Sequence, residues 1–476
     1  MDGKKLLRDI RFWIVLFFLI RLYGITNPPL EVGHNWRQTT VAMVARNFLE
    51  VDNSIFYPRI DIAGEKTGIT GMEFPVLNYL IYCASEVFGY QHWYGRLINL
   101  IISSIGLWFF YRLVRNYFSE TTAFYSTIIL AVSVWFQFSR KIMPDTFSMS
   151  MILACIYYGT NYLENKKSQV SQLVWYFLLL VLGMLSKLPA GYLLIVFAIP
   201  FLDKEIVLKK KLVFALVSLI GLIPVVAWYY YWVPHLVETY GFWHFFMGSS
   251  ISQGIGEILE NGGQTVSRFY DTALKYVGFA AFLFGLIASI VKKERKIYTL
   301  FALTFSGFLL VVFKAGFTFS HHNYYIIPFV PVMALVAGYG LSQIKNQKIA
   351  FFLLVAICAE GIANQHQDFR IKEKSAKILN LENDLDQFSE RSDLILINSG
   401  YYPTPMYFAH RKGWVNTNEQ IQDKEYLNDL RSKGLRYIVI LKRAFGKELE
   451  LNNHEVIFDN EDYRIYKLKW FEEQGE

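Results

Sequence analysis

Long apolar runs separated by short basic loops constrain this chain more than any other feature in it. The runs fall at roughly 12–27, 95–112, 121–138, 146–163, 172–187, 189–203, 212–232, 272–291, 297–314, 324–341 and 348–364, and none of spanning length follows in 366–476. A hydrocarbon slab about 30 Å thick asks for about 20 apolar residues per helix, so several runs are short and their ends are open. An apolar share of 53%, with 17% aromatic residues, does not suit a soluble enzyme. The chain therefore reads as a polytopic α-helical membrane protein: about eleven spans in 1–365, then a soluble domain in 366–476.

The net charge of +7 could suggest nucleic acid, but much of the basic excess lies in short loops between apolar runs, which is the positive-inside signature. Lys4, Lys5, Arg8 and Arg11 hold the start of a retained first helix in the cytoplasm. The loops with Arg112 and Arg115, Lys166 and Lys167, Lys204 with Lys209 to Lys211, Lys292, Lys293, Arg295 and Lys296, and Lys345 with Lys348 then share that side. Counting Phe74–Phe88 as a further span would put the later basic loops outside. It reads instead as an interfacial or re-entrant helix started by Pro75. Residues 28–93, 139–145, 233–271 and 315–323 fall outside, with 27–93 as the first outer loop, and the terminal domain is extracytoplasmic. Cys83, Cys155 and Cys358 lie in apolar segments without metal-ligand spacing.

The terminal domain alternates a charged helical stretch at 370–390, strands at Leu394–Asn398, Tyr437–Leu441, Val456–Phe458 and Tyr463–Leu468, and a helix near 421–433, the pattern of a small α/β domain. It holds no nucleophile elbow or phosphate loop. The stretch from Gly248 to Gly256, continuing to Gly262 and Gly263, reads either as a mobile cover or as an ordinary flexible loop.

Distinctive polar residues gather in the outer loops. Glu31 and His34 precede a helix near Trp36 to Glu50 that carries Arg37; a carboxylate there can orient an acceptor hydroxyl and take its proton, or the pair can serve as helix cap and headgroup contacts. Glu73 sits before the interfacial helix, where the helix dipole alone explains an acid. Arg59 can pair with Asp61 or bind phosphate. Asp145 follows Pro144 and either caps a helix or joins the other outer acids. Arg140 and Lys141 can screen those acids or hold a phosphate, Arg with a forked donor geometry that Lys lacks. Lys187, between two apolar runs, either binds phosphate or snorkels. Lys314 with His321, His322, Asn323, Tyr324 and Tyr325 forms a basic and aromatic set suited to a polar headgroup, although a lone interfacial tyrosine is more often an anchor.

At these residues the chain resembles the GT-C glycosyltransferases, especially bacterial relatives of protein O-mannosyltransferases and lipid A aminoarabinose transferases. The resemblance covers roughly 8–364 and rests on Trp36 to Phe48, Gly71-Met72-Glu73-Phe74-Pro75, Arg140 to Asp145, and His321 through Pro328. The family's Asp-Glu pair is missing: His34-Asn35 stands there, with Glu31 upstream, so the base role passes to Glu31 with His34 as competitor.

The resemblance implies inverting transfer of a sugar from a polyprenyl phosphate to a cell-envelope acceptor at the outer face of a bacterial cytoplasmic membrane. The acceptor is a lipid, glycan or protein. Glu31, His34, Glu73 and Asp145 are the candidate catalytic acids and bases. Arg37, Arg59, Arg140, Lys187, Lys314, His321, His322, Tyr324 and Tyr325 are the candidate phosphate and headgroup ligands. An anionic leaving group needs no strong acid, so no cofactor is required, while clustered carboxylates leave a divalent metal open. The rivals are a lipid-linked glycan flippase or transporter, with charges deep in its spans, and an O-antigen ligase-type enzyme using a pyrophosphate-linked donor.

Overall fold

A computed structural model of the chain describes residues 6–165, 169–241, 248–452 and 454–468. Lys4, Lys5, Lys166 and Lys167 of the basic pattern lie outside them. The described residues divide into two compact units, one of 6–25, 94–231 and 248–367 and the other of 26–93, 232–241 and 368–468.

The first unit is a helical membrane-type bundle, and each of the apolar runs contains helix. The count of long spans is lower than the sequence predicts. Among the described residues, five helices are long and apolar enough to cross a membrane: Tyr94–Tyr117, Leu208–Tyr240, Arg295–Ala315, Asn323–Ser342 and Gln347–Phe369. A sixth is reached if Gly262–Ala273 and Lys275–Val291, bent by 95° at their junction, count as one. Two physical causes separate this from eleven. Several runs make helices too short for the slab: Ile10–Arg21 has 12 residues and Glu120–Val132 has 13, about 18 to 20 Å of α-helix. Pro144–Glu164 is long enough at 21 residues, but it buries Asp145, Thr146, Ser148, Ser150 and Thr160 among its neighbours. A helix wrapped by protein can be polar in a way that a lipid-facing one cannot.

Helices in the bundle approach closely at small residues. Gly338 faces Ser126 so tightly that a Cβ there would run into the Ser126 backbone and hydroxyl, the small-residue packing expected where no hydrophobic force drives helices together. Interior breaks divide other runs. Lys187 is extended (φ −163°) between Val170–Ser186 and a 3-10 segment, Leu188–Phe197. Ser133 separates Glu120–Val132 from Val134–Phe138.

In the second unit, helix Asn35–Glu50 buries Val41, Met43, Val44 and Phe48. The predicted surface helix is present as Val76–Phe88, with Pro75 as its N-cap. Leu77, Ile81 and Tyr82 face inward, and Leu80, Val87 and Phe88 are exposed. The terminal domain is a five-stranded sheet in the order β2-β1-β3-β5-β4, made of β1 Leu394–Ile397, β2 Gly413–Val415, β3 Leu435–Leu441, β4 Glu455–Asp459 and β5 Tyr463–Lys467. β1 pairs in parallel with β2 and β3, whereas β5 runs antiparallel to β3 and β4. Period-two alternation gives the sheet two apolar faces. Ile395, Ile397, Val439 and Ile465 pack with Met43, Phe48, Leu381 and Tyr407. Leu396, Ile438, Ile440 and Tyr466 pack with Leu427 and Leu430. Residues within 30–82 and the terminal sheet therefore share one core. The charged stretch at 370–390 forms three short helical pieces, Glu373–Ala376, Lys377–Asn380 and Leu381–Leu385, rather than one helix.

The Gly338 contact gives a direct test. Gly338→Val should cost about 2 kcal/mol through overpacking, read as a lower unfolding temperature of purified protein in detergent. An unchanged temperature would show that the Gly338 approach does not hold the bundle.

Candidate functional site

Five of the sequence-selected residues converge in the first unit. Pro144 opens helix Pro144–Glu164 and puts Asp145 in its first turn, where the helix dipole favours a carboxylate. Asp145 is 6% exposed, and one of its oxygens lies 3.9 Å from Nζ of Lys187. Lys187 is itself buried; its ammonium lies 5.7 Å from the ring centre of Tyr324 and 5.9 Å from that of Tyr325, within cation–π range. Tyr324 and Tyr325 stack at 4.9 Å, and His322 stacks on Tyr324 at 5.4 Å. The extended residue Lys187 and the 3-10 segment Asn323–Phe329 bring these groups together.

A polar scaffold that sequence reading missed holds this cluster. The Asn99 amide donates to the carbonyls of Phe138, Lys141 and Met143 at 3.0, 2.8 and 3.2 Å. Its oxygen accepts from Ser103 and Thr146. Ser148 donates to the carbonyls of Gly183 and Lys187, fixing the break beside the ammonium. The available signal was the pair Asn99 and Ser103, four apart on an apolar helix and so on one face.

Arg140 has a structural role beside the cluster. Its guanidinium donates to the carbonyl oxygens of Tyr23 and Gly24, tying the loop before Pro144 to the end of the first helix. Lys141 lies 5.9 Å from the Phe138 ring. Lys314 and His321 serve other neighbourhoods. The Lys314 ammonium donates to the Ser249 carbonyl at 2.7 Å, while His321 stacks on Phe317 and shares hydrogen bonds with Ser320 and the Phe317 carbonyl. The glycine-rich stretch expected as a loop is largely helical, in Ile251–Glu260 and Gly262–Ser267. Gly254 presses against the Phe313 carbonyl too closely for any side chain, so close packing of this helix accounts for that glycine.

The second unit arranges the remaining candidates. Glu31 is fully buried and forms an antiparallel bridge with Ile371. His34 takes a left-handed conformation (φ +56°) as N-cap of Asn35–Glu50, and its carbonyl accepts from the Arg37 and Gln38 N–H groups. Arg37 and Glu73 form a buried ion pair. Glu73 precedes the N-cap Pro75 and so lies ahead of the first turn of Val76–Phe88 rather than in it. Arg59 pairs with Asp52 at 2.8 Å, not with Asp61. Asp61 instead accepts from Arg46 at 2.9 Å and Asn47 at 2.7 Å. Arg46 also lies 4.6 Å over the Tyr407 ring and donates to the Tyr407 carbonyl. Among the described residues, no group of three or more His, Cys, Asp or Glu side chains is arranged to hold a metal.

The family model for dolichyl-phosphate-mannose-protein mannosyltransferase matches residues 73–231, a stretch that includes Glu73, Asp145 and Lys187. Among solved structures, ArnT from Cupriavidus metallidurans in the apo state is similar at 13% identity and a TM-score of 0.59, over 96% of this chain and 97% of that one. The chain shares that fold. A second ArnT structure, bound to undecaprenyl phosphate, matches at the same identity and TM-score over 96% and 98% of the two chains. The archaeal oligosaccharyltransferase AglB from Archaeoglobus fulgidus matches at 13% identity and a TM-score of 0.54, over 91% of this chain and 70% of that one. No curated protein matches the sequence. The shared fold is a largely helical, multi-span bundle with a terminal β-sheet domain.

One titrating latch in the second unit is open to measurement. His410 sits in a left-handed conformation (φ +48°), with Nδ1 2.8 Å from Glu382 and Nε2 2.7 Å from Glu50. Arg391 also pairs with Glu382 at 2.6 Å. Burial alone would lower the His410 pKa, but the two carboxylates outweigh it and raise it above 6.5. Burial alone would raise that of Glu382, but His410 and Arg391 bring it down to about 2. The raised imidazole stabilises the fold fully below 6.5 and loses that contribution as pH rises through its folded value. The depressed carboxyl contributes fully above 4.5 and loses that contribution as pH falls toward about 2. Unfolding temperature should therefore decline as pH rises above about 6.5, and His410→Gln should flatten that decline. Parallel profiles for the parent and the variant would show that the latch does not titrate in this range.

Proposed function

We propose that this protein transfers a sugar, with inversion, from a polyprenyl-phosphate donor to a cell-envelope acceptor at the outer face of a membrane. The observation that carries the reading is the cluster of buried Lys187, Asp145 and Tyr324 with half-buried Tyr325 and His322. An ammonium in a low-dielectric setting, faced by aromatic rings, suits a phosphate that must gain charge as its bond to sugar breaks. The mannosyltransferase family match across 73–231 and the fold shared with an ArnT that binds undecaprenyl phosphate support the same chemistry.

In the reaction, the acceptor oxygen attacks the anomeric carbon as the bond from that carbon to the phosphate oxygen breaks. The acceptor proton passes to a carboxylate, and polyprenyl phosphate leaves as an anion. A single displacement inverts the centre. Glu31 takes the base role, with His34 as its competitor. Lys187 meets the growing phosphate charge, and Asp145 positions Lys187. Arg140, in the turn that leads into Asp145, braces the loop that carries it. Because the leaving group is already anionic, this chemistry requires neither a strong acid nor a metal.

The proposed topology puts the basic loops on the cytoplasmic side. The amino terminus is cytoplasmic and 366–476 extracytoplasmic, in a bacterial cytoplasmic membrane. In a cysteine-free background, Lys433→Cys should react with an impermeant maleimide on intact spheroplasts, whereas Lys293→Cys should react only after lysis. The reverse pattern would invert the orientation.

Incubating purified protein with defined polyprenyl-phosphate sugars and envelope acceptors, with products read by mass spectrometry, tests the reaction. Lys187→Ala should lower turnover by roughly 100- to 1000-fold, as removal of one charge-stabilising donor does. Glu31→Gln should lower it by at least about 100-fold. Undiminished transfer by Glu31→Gln would remove its base role. Failure of every such donor to bind or react, together with measured translocation of a lipid-linked glycan, would replace the transferase reading with the flippase one.

A further inference from the structure

The first unit contains a second chemical environment. A cavity of about 530 Å³ is lined by Leu153, Ile156, Leu193, Val196 and Leu335 within the bundle and by Arg295 and Lys296 at its rim. Its volume is that of a small-molecule site. The polar lining gathers where elements end: Tyr117 closes helix Tyr94–Tyr117, Glu164 closes Pro144–Glu164, Asp203 follows Ala198–Leu202, and Arg295 opens Arg295–Ala315. The cavity is thus amphiphilic, with a charged mouth and an apolar interior. Along Pro144–Glu164, Leu153 lies eleven residues from Glu164, about 16 Å at 1.5 Å per residue. That is about half the hydrocarbon thickness of a bilayer, the depth of one leaflet.

The charges at the mouth are not equivalent. Glu164 accepts a 2.7 Å hydrogen bond from the Tyr117 hydroxyl, and the Asp203 carboxylate accepts from the Glu205 N–H at 2.9 Å. Arg295 and Lys296 are exposed, and neither side chain makes a salt bridge or hydrogen bond among the described residues. Glu164 also feels the charge of Lys296, and the two cations face solvent at the mouth. From this we infer that the cavity holds one acyl chain of an anionic phospholipid whose phosphate is met by Arg295 and Lys296. Basic pockets between membrane helices recognise such headgroups through the same charge complementarity, and the leaflet-deep apolar interior receives the chain. The site is distinct from the Lys187 cluster. Only the choice of the cytoplasmic leaflet rests on the proposed orientation.

Native mass spectrometry of the full-length protein in detergent tests this with three defined lipids: phosphatidylglycerol, phosphatidylethanolamine and undecaprenyl phosphate. One phosphatidylglycerol should be retained in preference to phosphatidylethanolamine. The double variant Arg295→Gln, Lys296→Gln should weaken that retention by roughly tenfold or more, with an unfolding temperature in lipid-free detergent matching the parent. Leu153→Trp, which fills the interior, should also remove the bound lipid. Equal retention of the two phospholipids, or retention unaltered in the double variant, overturns the inference. Displacement of phosphatidylglycerol by equimolar undecaprenyl phosphate overturns it as well, because it would give the cavity to the sugar donor. Loss of sugar transfer does not bear on this readout, so the two readings fail independently.

Discussion

A polar backbone group inside a membrane bundle needs a partner, and that requirement decides where this protein can place chemistry. An unbroken helix satisfies itself and offers a reacting group little beyond its side chains. Each break opens carbonyls and N–H groups that another helix has to satisfy. Asn99 does this for the turn at 138–143, Ser148 for the step at 183–187, and Gln365 for the break after Val132, accepting from the Gln137 N–H and donating to the Val132 carbonyl. The candidate ligands sit at the first two of these repairs. Asp145 begins the helix after one, and Lys187 occupies the other. Neither position would be available in a bundle of uninterrupted helices.

This also explains how far the sequence could be read. The apolar runs were legible because hydropathy reports exclusion from water, and each contains helix. Their lengths were not, because a break such as the one at Ser133 leaves hydropathy unchanged, and because the polar content of Pro144–Glu164 is hidden by its neighbours. Strands β1, β3, β4 and β5 were visible through alternation. The three-residue β2, Gly413-Trp414-Val415, is too short to show a period. Lys187 was conspicuous as a charge between apolar runs, and the His322, Tyr324 and Tyr325 set as an aromatic cluster at a helix end. Asn99, Ser148 and Gln365 were not, since a single amide or hydroxyl in an apolar run carries no sign of what it will meet. Glu73 and Arg59 were visible as charges, but their partners, Arg37 and Asp52, are fixed by tertiary structure.

The ion pairs then differ in a way that bears on function. Arg46 meets Asp61 at 2.9 Å while also holding the Tyr407 carbonyl, and Arg411 meets Asp386 at 2.7 Å while holding the Ser389 carbonyl. In both, guanidinium geometry joins a carboxylate to main chain, which is how a charged group braces a loop or a sheet. The Lys187 and Asp145 pair has another character. At 3.9 Å it is beyond hydrogen-bond length, so the carboxylate acts on the ammonium through space, with two tyrosine rings beyond it. A lysine presents a compact point charge that can turn toward a new oxygen without losing a planar match. A tight bidentate pair would have to break before a phosphate could enter. At Lys187 a point charge thus stands at a helix break and beside aromatic faces, whereas Arg46 and Arg411 are forked braces between a carboxylate and main chain.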